Sequence, residues 1–154
     1  ITGWRLGYTI ACPEITDRIM KVHDFLTVGA PAPLQEAVIP GLKAGPDYYD
    51  DLIRTYTHKR DLFVGGLKSL GLDCTNPQGA YYVLMDVSEF GFKDDLEFCE
   101  VLARDVGVGT VPGSSFFREP VNHLIRFHFA KKDETLYDAL NRLESIRAKI
   151  PSRR

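Results

Sequence analysis

The chain holds 154 residues, enough for about one domain with a substantial core. Its 44% hydrophobic and 26% charged content is that of an ordinary globular protein, and a net charge of -2 offers nothing to attract nucleic acid or an anionic membrane. Three cysteines (Cys12, Cys74 and Cys99) without a C-x-x-C pair read as reduced thiols, and with no apolar run of bilayer length and no visible targeting segment the chain is expected to be soluble and cytoplasmic.

In chain order, Trp4 to Ala11 is rich in β-formers and stops at Cys12-Pro13, which predicts a strand. Pro13 suits a first helical turn and Glu14 its positive end, and Ile15, Ile19, Val22, Phe25 and Leu26 continue at helical spacing over 13–26. A loop, Gly29-Ala30-Pro31-Ala32-Pro33, leads to a second helix over Leu34 to Leu42, broken at Pro40-Gly41. Gly45-Pro46-Asp47 opens the longest helical pattern, with Tyr49, Leu52, Ile53, Tyr56, Phe63, Leu67 and Leu70 on one stripe. Gly65-Gly66 inside it costs about 1 kcal/mol per glycine relative to alanine, so a bend or close packing is expected there. This helix reads as the spine joining two regions.

Beyond Gly71 the pattern becomes mixed. Ala80 to Val87 is a continuous apolar run, predicting a strand covered on both faces. Asp94 to Val106 is amphipathic and helical, Val108 to Val111 a small strand, and Pro112-Gly113-Ser114-Ser115 a loop. In the strand Leu124 to Ala130, alternation sends Ile125, Phe127 and Phe129 one way and Arg126 and His128 the other. Asp133 is expected to cap a last helix lined by Leu136, Leu140, Leu143 and Ile146. The first forty or so residues hold too little for a sheet of their own, whereas the stretch from about 71 onward reads as a self-contained α+β unit.

Several motifs fail on their mechanics. Gly107-Val108-Gly109-Thr110-Val111-Pro112 begins like a dinucleotide fingerprint, but Pro112 stands at the third glycine and no helix opens there. His123 and His128 have no Cys, Asp or Glu to complete a metal set, and Ser114 and Ser115 lack a nucleophile elbow. Two arginines remain. Arg126 lies in an apolar strand, where it either faces solvent or holds an anion, since an unpaired buried charge is expensive. Its planar fork suits a carboxylate. Arg5, between Gly3 and Gly7, sits where small neighbours let a bulky anion such as phosphate approach the backbone. The residues themselves give two candidate anion sites.

Thr2-Gly3-Trp4-Arg5-Leu6-Gly7-Tyr8 resembles the segment just after the cofactor lysine in class I/II aminotransferases, the fold-type I enzymes that use pyridoxal 5'-phosphate. Pro77-Gln78-Gly79-Ala80-Tyr81-Tyr82 resembles the family's entry to its small-domain sheet, Val111 to Phe116 its P-G-x-x-F loop, and His123 to Ala130 the strand whose arginine grips substrate. The resemblance implies an α/β fold, with α+β organisation in the small domain: residues 1–60 as the end of the large cofactor-binding domain with most of a long linking helix, and 61–154 as a small domain with a short, mostly antiparallel sheet packed on helices. It implies Arg5 as the cofactor-phosphate anchor, Arg126 as the grip on the substrate α-carboxylate and Tyr81 near the substrate. No metal is implied. Amino acids and 2-oxo acids are the implied substrates, and a homodimer the implied assembly, with the loop from Thr27 to Pro33 resembling the stretch that nears the partner's site. The catalytic Schiff-base lysine is expected upstream of Ile1. None of the chain's lysines lies beside Arg5, so the chain alone is expected to be inactive. Two other readings stay open: a carbon–sulfur β-lyase using the same cofactor, and a non-catalytic truncated module for dimerisation or interaction.

Overall fold

The computed structural model describes residues 2–152. Its helices are α1 (Pro13–Thr27), α2 (Ala32–Leu42), α3 (Pro46–Ser69), α4 (Asp95–Val101), α5 (Asp133–Leu143) and α6 (Ile146–Lys149), and its strands β1 (Tyr82–Asp86), β2 (Val111–Pro112) and β3 (Leu124–His128). The chain divides into two compact units, one ending at Asp50 and the other starting at Asp51, inside the opening turns of α3.

The first unit is helical. Pro13 opens α1 with Glu14 in its first turn, where a preset φ and the exposed N–H groups favour each. The stripe Ile15, Ile19, Val22 and Leu26 is helical in period and exposed throughout. Pro40 stands within α2, which continues to Leu42 despite losing the bond to the Glu36 carbonyl. The strand expected over Trp4 to Ala11 does not form. A 3-10 turn occupies Thr2–Trp4, and the chain then runs irregularly to α1. A strand exists only through a ladder partner, and no described strand pairs with this segment.

In the second unit the strands form one antiparallel sheet in the order β1-β3-β2. β1 and β3 pair over their whole length, with Val83 opposite Phe127 and Met85 opposite Ile125. These four side chains are buried with Phe63 and Leu67 of α3, Phe98 of α4, and Leu136 and Leu143 of α5. Burying each contributes about 1.5–3 kcal/mol relative to exposure. The apolar run Ala80 to Val87 is covered on one face only: Val83, Met85 and Val87 are buried, whereas Tyr82 is exposed and Leu84 half-buried. The alternation expected for β3 holds, with Ile125, Phe127 and Phe129 buried, Arg126 half-buried and His128 exposed.

Asp94 caps α4, its carboxylate accepting the Glu97 N–H at 2.9 Å. The helix then widens into a π-turn over Leu102–Val106, closed by Gly107 at φ 81°. Thus the glycine that began the failed fingerprint is a helix cap, in the left-handed conformation glycine adopts without a Cβ clash. Of the strand expected over Val108 to Val111 only Val111 forms a ladder, joined by Pro112 from the expected loop, and this β2 meets β3 at Ile125 and Arg126. Of the two glycines in α3, Gly66 is the site of close packing: a Cβ there would lie 2.4 Å from Leu140, whereas one on Gly65 meets open space. Asp133 does not cap α5. Lys132 occupies the cap position, and the Asp133 carboxylate instead lies 2.8 Å from His58 Nε2 and 3.3 Å from Lys59 Nζ, tying the start of α5 to α3.

Candidate functional site

Arg126 is the middle residue of β3, and strand alternation turns it away from the core side held by Ile125 and Phe127. Tyr82 of β1 shares its face, being in register with His128 two residues on. On the opposite flank Val111 of β2 pairs with Arg126, and the following 3-10 turn, Gly113–Phe116, returns the Phe116 ring over the strand. The guanidinium carbon lies 3.5 Å from the Phe116 ring centroid and 4.1 Å from that of Tyr82. Such contacts are worth about 0.5–2 kcal/mol each, and they restrict the planar fork without consuming its N–H donors. None of the ion pairs among the described residues involves Arg126. A half-buried guanidinium so held, with no carboxylate paired to it among the described residues, has the charge and planar donor fork that suit an external carboxylate.

Tyr81, half-buried, enters β1 after Ala80, whose φ of 57° marks a sharp turn, and its carbonyl accepts the Phe129 N–H at 3.0 Å. The rings of Tyr81 and Tyr82 are 4.5 Å apart and the Tyr82 hydroxyl donates to that of Tyr81 at 3.4 Å. Tyr81 thus meets Tyr82, which lies against Arg126, while its own ring packs against the core beside Tyr56, with 6.1 Å between ring centroids. That hydroxyl bond pushes the Tyr82 phenol above its ordinary range, with some burial adding and Arg126 opposing. Partial burial holds the His128 imidazole below its usual value, and the nearby Lys131 and Arg126 add to the effect. Arg126, His128, Lys131 and Arg142 also border a cavity of 350 Å³ between α5 and the segment Gly107 to Val111.

The turn carrying Phe116 is pinned at both sides. Asp95, in the first turn of α4, is 1% exposed and is the one charged residue buried among the described residues. Its carboxylate accepts the Ser114 N–H at 2.7 Å and the Ser114 hydroxyl at 2.9 Å. Gly113 lies so close to β3 that a Cβ would stand 2.5 Å from the Leu124 carbonyl oxygen.

Arg5 belongs to the first unit. It is exposed, adopts φ 56°, and takes part in no ion pair among the described residues. A Cβ on Gly3 or Gly7 would meet nothing within 4 Å, so the backbone on either side is open to a bulky anion. Among the described residues no three His, Cys, Asp or Glu side chains gather as a metal set, and no helix is long and apolar enough to cross a membrane.

Sequence reasoning singled out Arg126 and Tyr81 but missed Tyr82 and Asp95. Ala80 to Val87 is apolar without alternation, so only the register of β1 against β3 places Tyr82 on the face of Arg126. Nothing in the sequence distinguished Asp95 from its exposed neighbours.

Residues 1–143 match the family model described as aminotransferase class I and II. The chain is 40% identical over 147 residues to the methionine aminotransferase of Escherichia coli, covering 95% of this chain and 38% of that protein. It is 30% identical over 161 residues to the probable N-succinyldiaminopimelate aminotransferase of Mycobacterium tuberculosis, covering 98% and 40%. The solved E. coli methionine aminotransferase aligns with a TM-score of 0.79 at 39% identity, over 94% of this chain and 38% of that one. For the solved M. tuberculosis N-succinyldiaminopimelate aminotransferase the TM-score is 0.83 at 32% identity, over 94% and 38%. The chain thus spans about two-fifths of the length of the relatives it matches. On this match and this fold, the chain belongs to the class I and II aminotransferase family.

Proposed function

We propose that this chain is the C-terminal part of a pyridoxal phosphate-dependent aminotransferase, moving an amino group between an amino acid and a 2-oxo acid, and that its own contribution is to hold the reactants. The observation that carries this reading is Arg126, held between Phe116 and Tyr82 with its donors unpaired by any carboxylate among the described residues. Its fork takes the α-carboxylate of the substrate and so fixes the direction of the Cα–H bond, which converts loose binding into productive orientation. Tyr81 borders the substrate beside it. Arg5, with bare glycine backbone on both sides, binds the cofactor phosphate. The cofactor, when bound, supplies the electron sink for the carbanion left by proton removal. Residues 1–60 are the end of the large domain and 61–154 the small domain, in a cytoplasmic homodimer. No lysine in this chain stands beside Arg5, so the 154 residues alone do not transaminate.

The test is a graft. This chain replaces the matching 147-residue region of the E. coli methionine aminotransferase, and amino-acid and 2-oxo-acid products are measured with pyridoxal phosphate present. Transamination by the graft, lost on Arg126→Ala and absent from the isolated chain, is the expected result. Elimination products in place of a new amino acid would contradict the reading, as would turnover by the isolated chain.

A further inference from the structure

We propose that Asp95 is a positioning residue for Arg126: by fastening Ser114 it sets the turn whose Phe116 ring holds the guanidinium in the orientation that accepts a carboxylate. The proposal rests on the reading of Arg126 as the carboxylate grip. Three observations connect the residues. Asp95 is a buried charge, and a buried carboxylate persists only where its oxygens are hydrogen-bonded. The carboxylate accepts two bonds from one residue, Ser114, from its backbone N–H at 2.7 Å and its hydroxyl at 2.9 Å, so it fixes both the path of the turn and the rotamer of its second residue. Phe116 follows two residues later, in the same 3-10 turn, and its ring centroid is 3.5 Å from the Arg126 guanidinium carbon.

The rest of the turn is constrained in a way that leaves Asp95 the adjustable anchor. Gly113 packs onto the Leu124 backbone with no space for a methyl group, so the turn cannot move toward β3. Beyond Phe116 no helix or strand intervenes until β3 begins at Leu124. Phe116 is itself 49% exposed, so burial alone does not hold the ring in place. Release of Ser114 frees the ring to leave the guanidinium, and Arg126 then samples more rotamers, each carboxylate it binds having to select among them. Asp95 touches neither substrate nor cofactor in this account.

The experiment uses the full 154-residue chain and the NMR signal of Arg126 Nε–Hε. A proton held over an aromatic face is shifted upfield, so the signal reports the Phe116 and Tyr82 stack directly. Asp95→Ala and Ser114→Ala are each compared with wild type and with Ser114→Thr, which keeps the hydroxyl, and each is titrated with acetate. The expected result is an upfield Arg126 Hε in wild type and Ser114→Thr that returns toward the ordinary arginine position in the two alanine variants. Acetate affinity at Arg126 falls with it by about threefold to tenfold, the effect of losing about one hydrogen bond's worth of order. Should Asp95→Ala fail to fold, Ser114→Ala, which removes the hydroxyl bond and keeps the backbone N–H bond to Asp95, is expected to move the signal part of the way, and no movement overturns the proposal. An Arg126 signal unchanged in the folded alanine variants overturns the proposal. A wild-type Arg126 that ignores acetate while its shift still follows Asp95 and Ser114 sinks the grip reading and leaves the positioning of Phe116 supported.

Discussion

Gly113 stands against Leu124 with no room for a side chain: a Cβ would lie 2.5 Å from the Leu124 carbonyl oxygen and 3.0 Å from its carbonyl carbon. Backbone cannot swing aside as a side-chain tip can, so Gly113→Ala must displace the turn that carries Phe116. We expect this variant to lose about 1–3 kcal/mol of stability, the usual cost of overpacking. The Arg126 Hε signal should shift with it. A melt and an NMR spectrum equal to wild type would contradict the account.

The neighbouring glycines of α3 should respond with opposite signs. Gly65→Ala adds a methyl group into open space inside a helix and gains about 1 kcal/mol, a rise of about 2–4 °C in melting temperature. Gly66→Ala carries the same helical gain but drives its Cβ to 2.4 Å from Leu140 Cδ1. Displacing Leu140 costs about 1–3 kcal/mol, so this variant should melt below Gly65→Ala. Equal melting temperatures would show that Leu140 moves freely.

Acid stability should depend on Asp133. Its bond to His58, with Lys59 adding, holds the carboxyl below its ordinary value of 3.8. The unfolded chain therefore binds the proton first as pH falls. The stabilisation is fully present above the ordinary carboxylate value and is lost as pH falls through the depressed one. Melting temperatures measured downward from pH 6 should fall less steeply below about pH 4 in Asp133→Asn than in wild type. Parallel slopes would remove Asp133 from the explanation.

Thiol chemistry should separate the cysteines. Cys12 is exposed, whereas burial pushes the thiols of Cys74 and Cys99 above their ordinary range. At Cys99 the Thr110 hydroxyl, 3.1 Å away, opposes that effect. Since the thiolate is the reactive form and must be reached, iodoacetamide at pH 8 should label Cys12 about tenfold or more faster than Cys99. Mass spectrometry of the labelled peptides decides it, and equal rates would contradict the burial of Cys99.

Helices with a local signature were legible in the sequence. Pro13 with Glu14, and Gly45-Pro46-Asp47, mark where α1 and α3 begin because capping acts within a turn or two. The alternation of β3 was legible for the same reason, and it placed Arg126 opposite the core. Trp4 to Ala11 misled because β-propensity is local while a ladder partner is not. Asp133 looked like a cap since its partners, His58 and Lys59, lie over seventy residues away in the sequence. Tyr82 and Phe116 converge on Arg126 only through the register of β1 and the return of the turn after β2, and Asp95 reaches the site through Ser114. Those relationships are tertiary, so no single segment announces them.

The central claim, that Arg126 receives an α-carboxylate, is tested most directly by titrating the chain with L-methionine and, separately, with L-methioninamide, which has the same side chain and amine but no carboxylate. The Arg126 Nε–Hε signal should move with L-methionine and stay in place with the amide, and both titrations should leave the remaining arginines unaffected. Equal movement with the two ligands, or none with either, would contradict it.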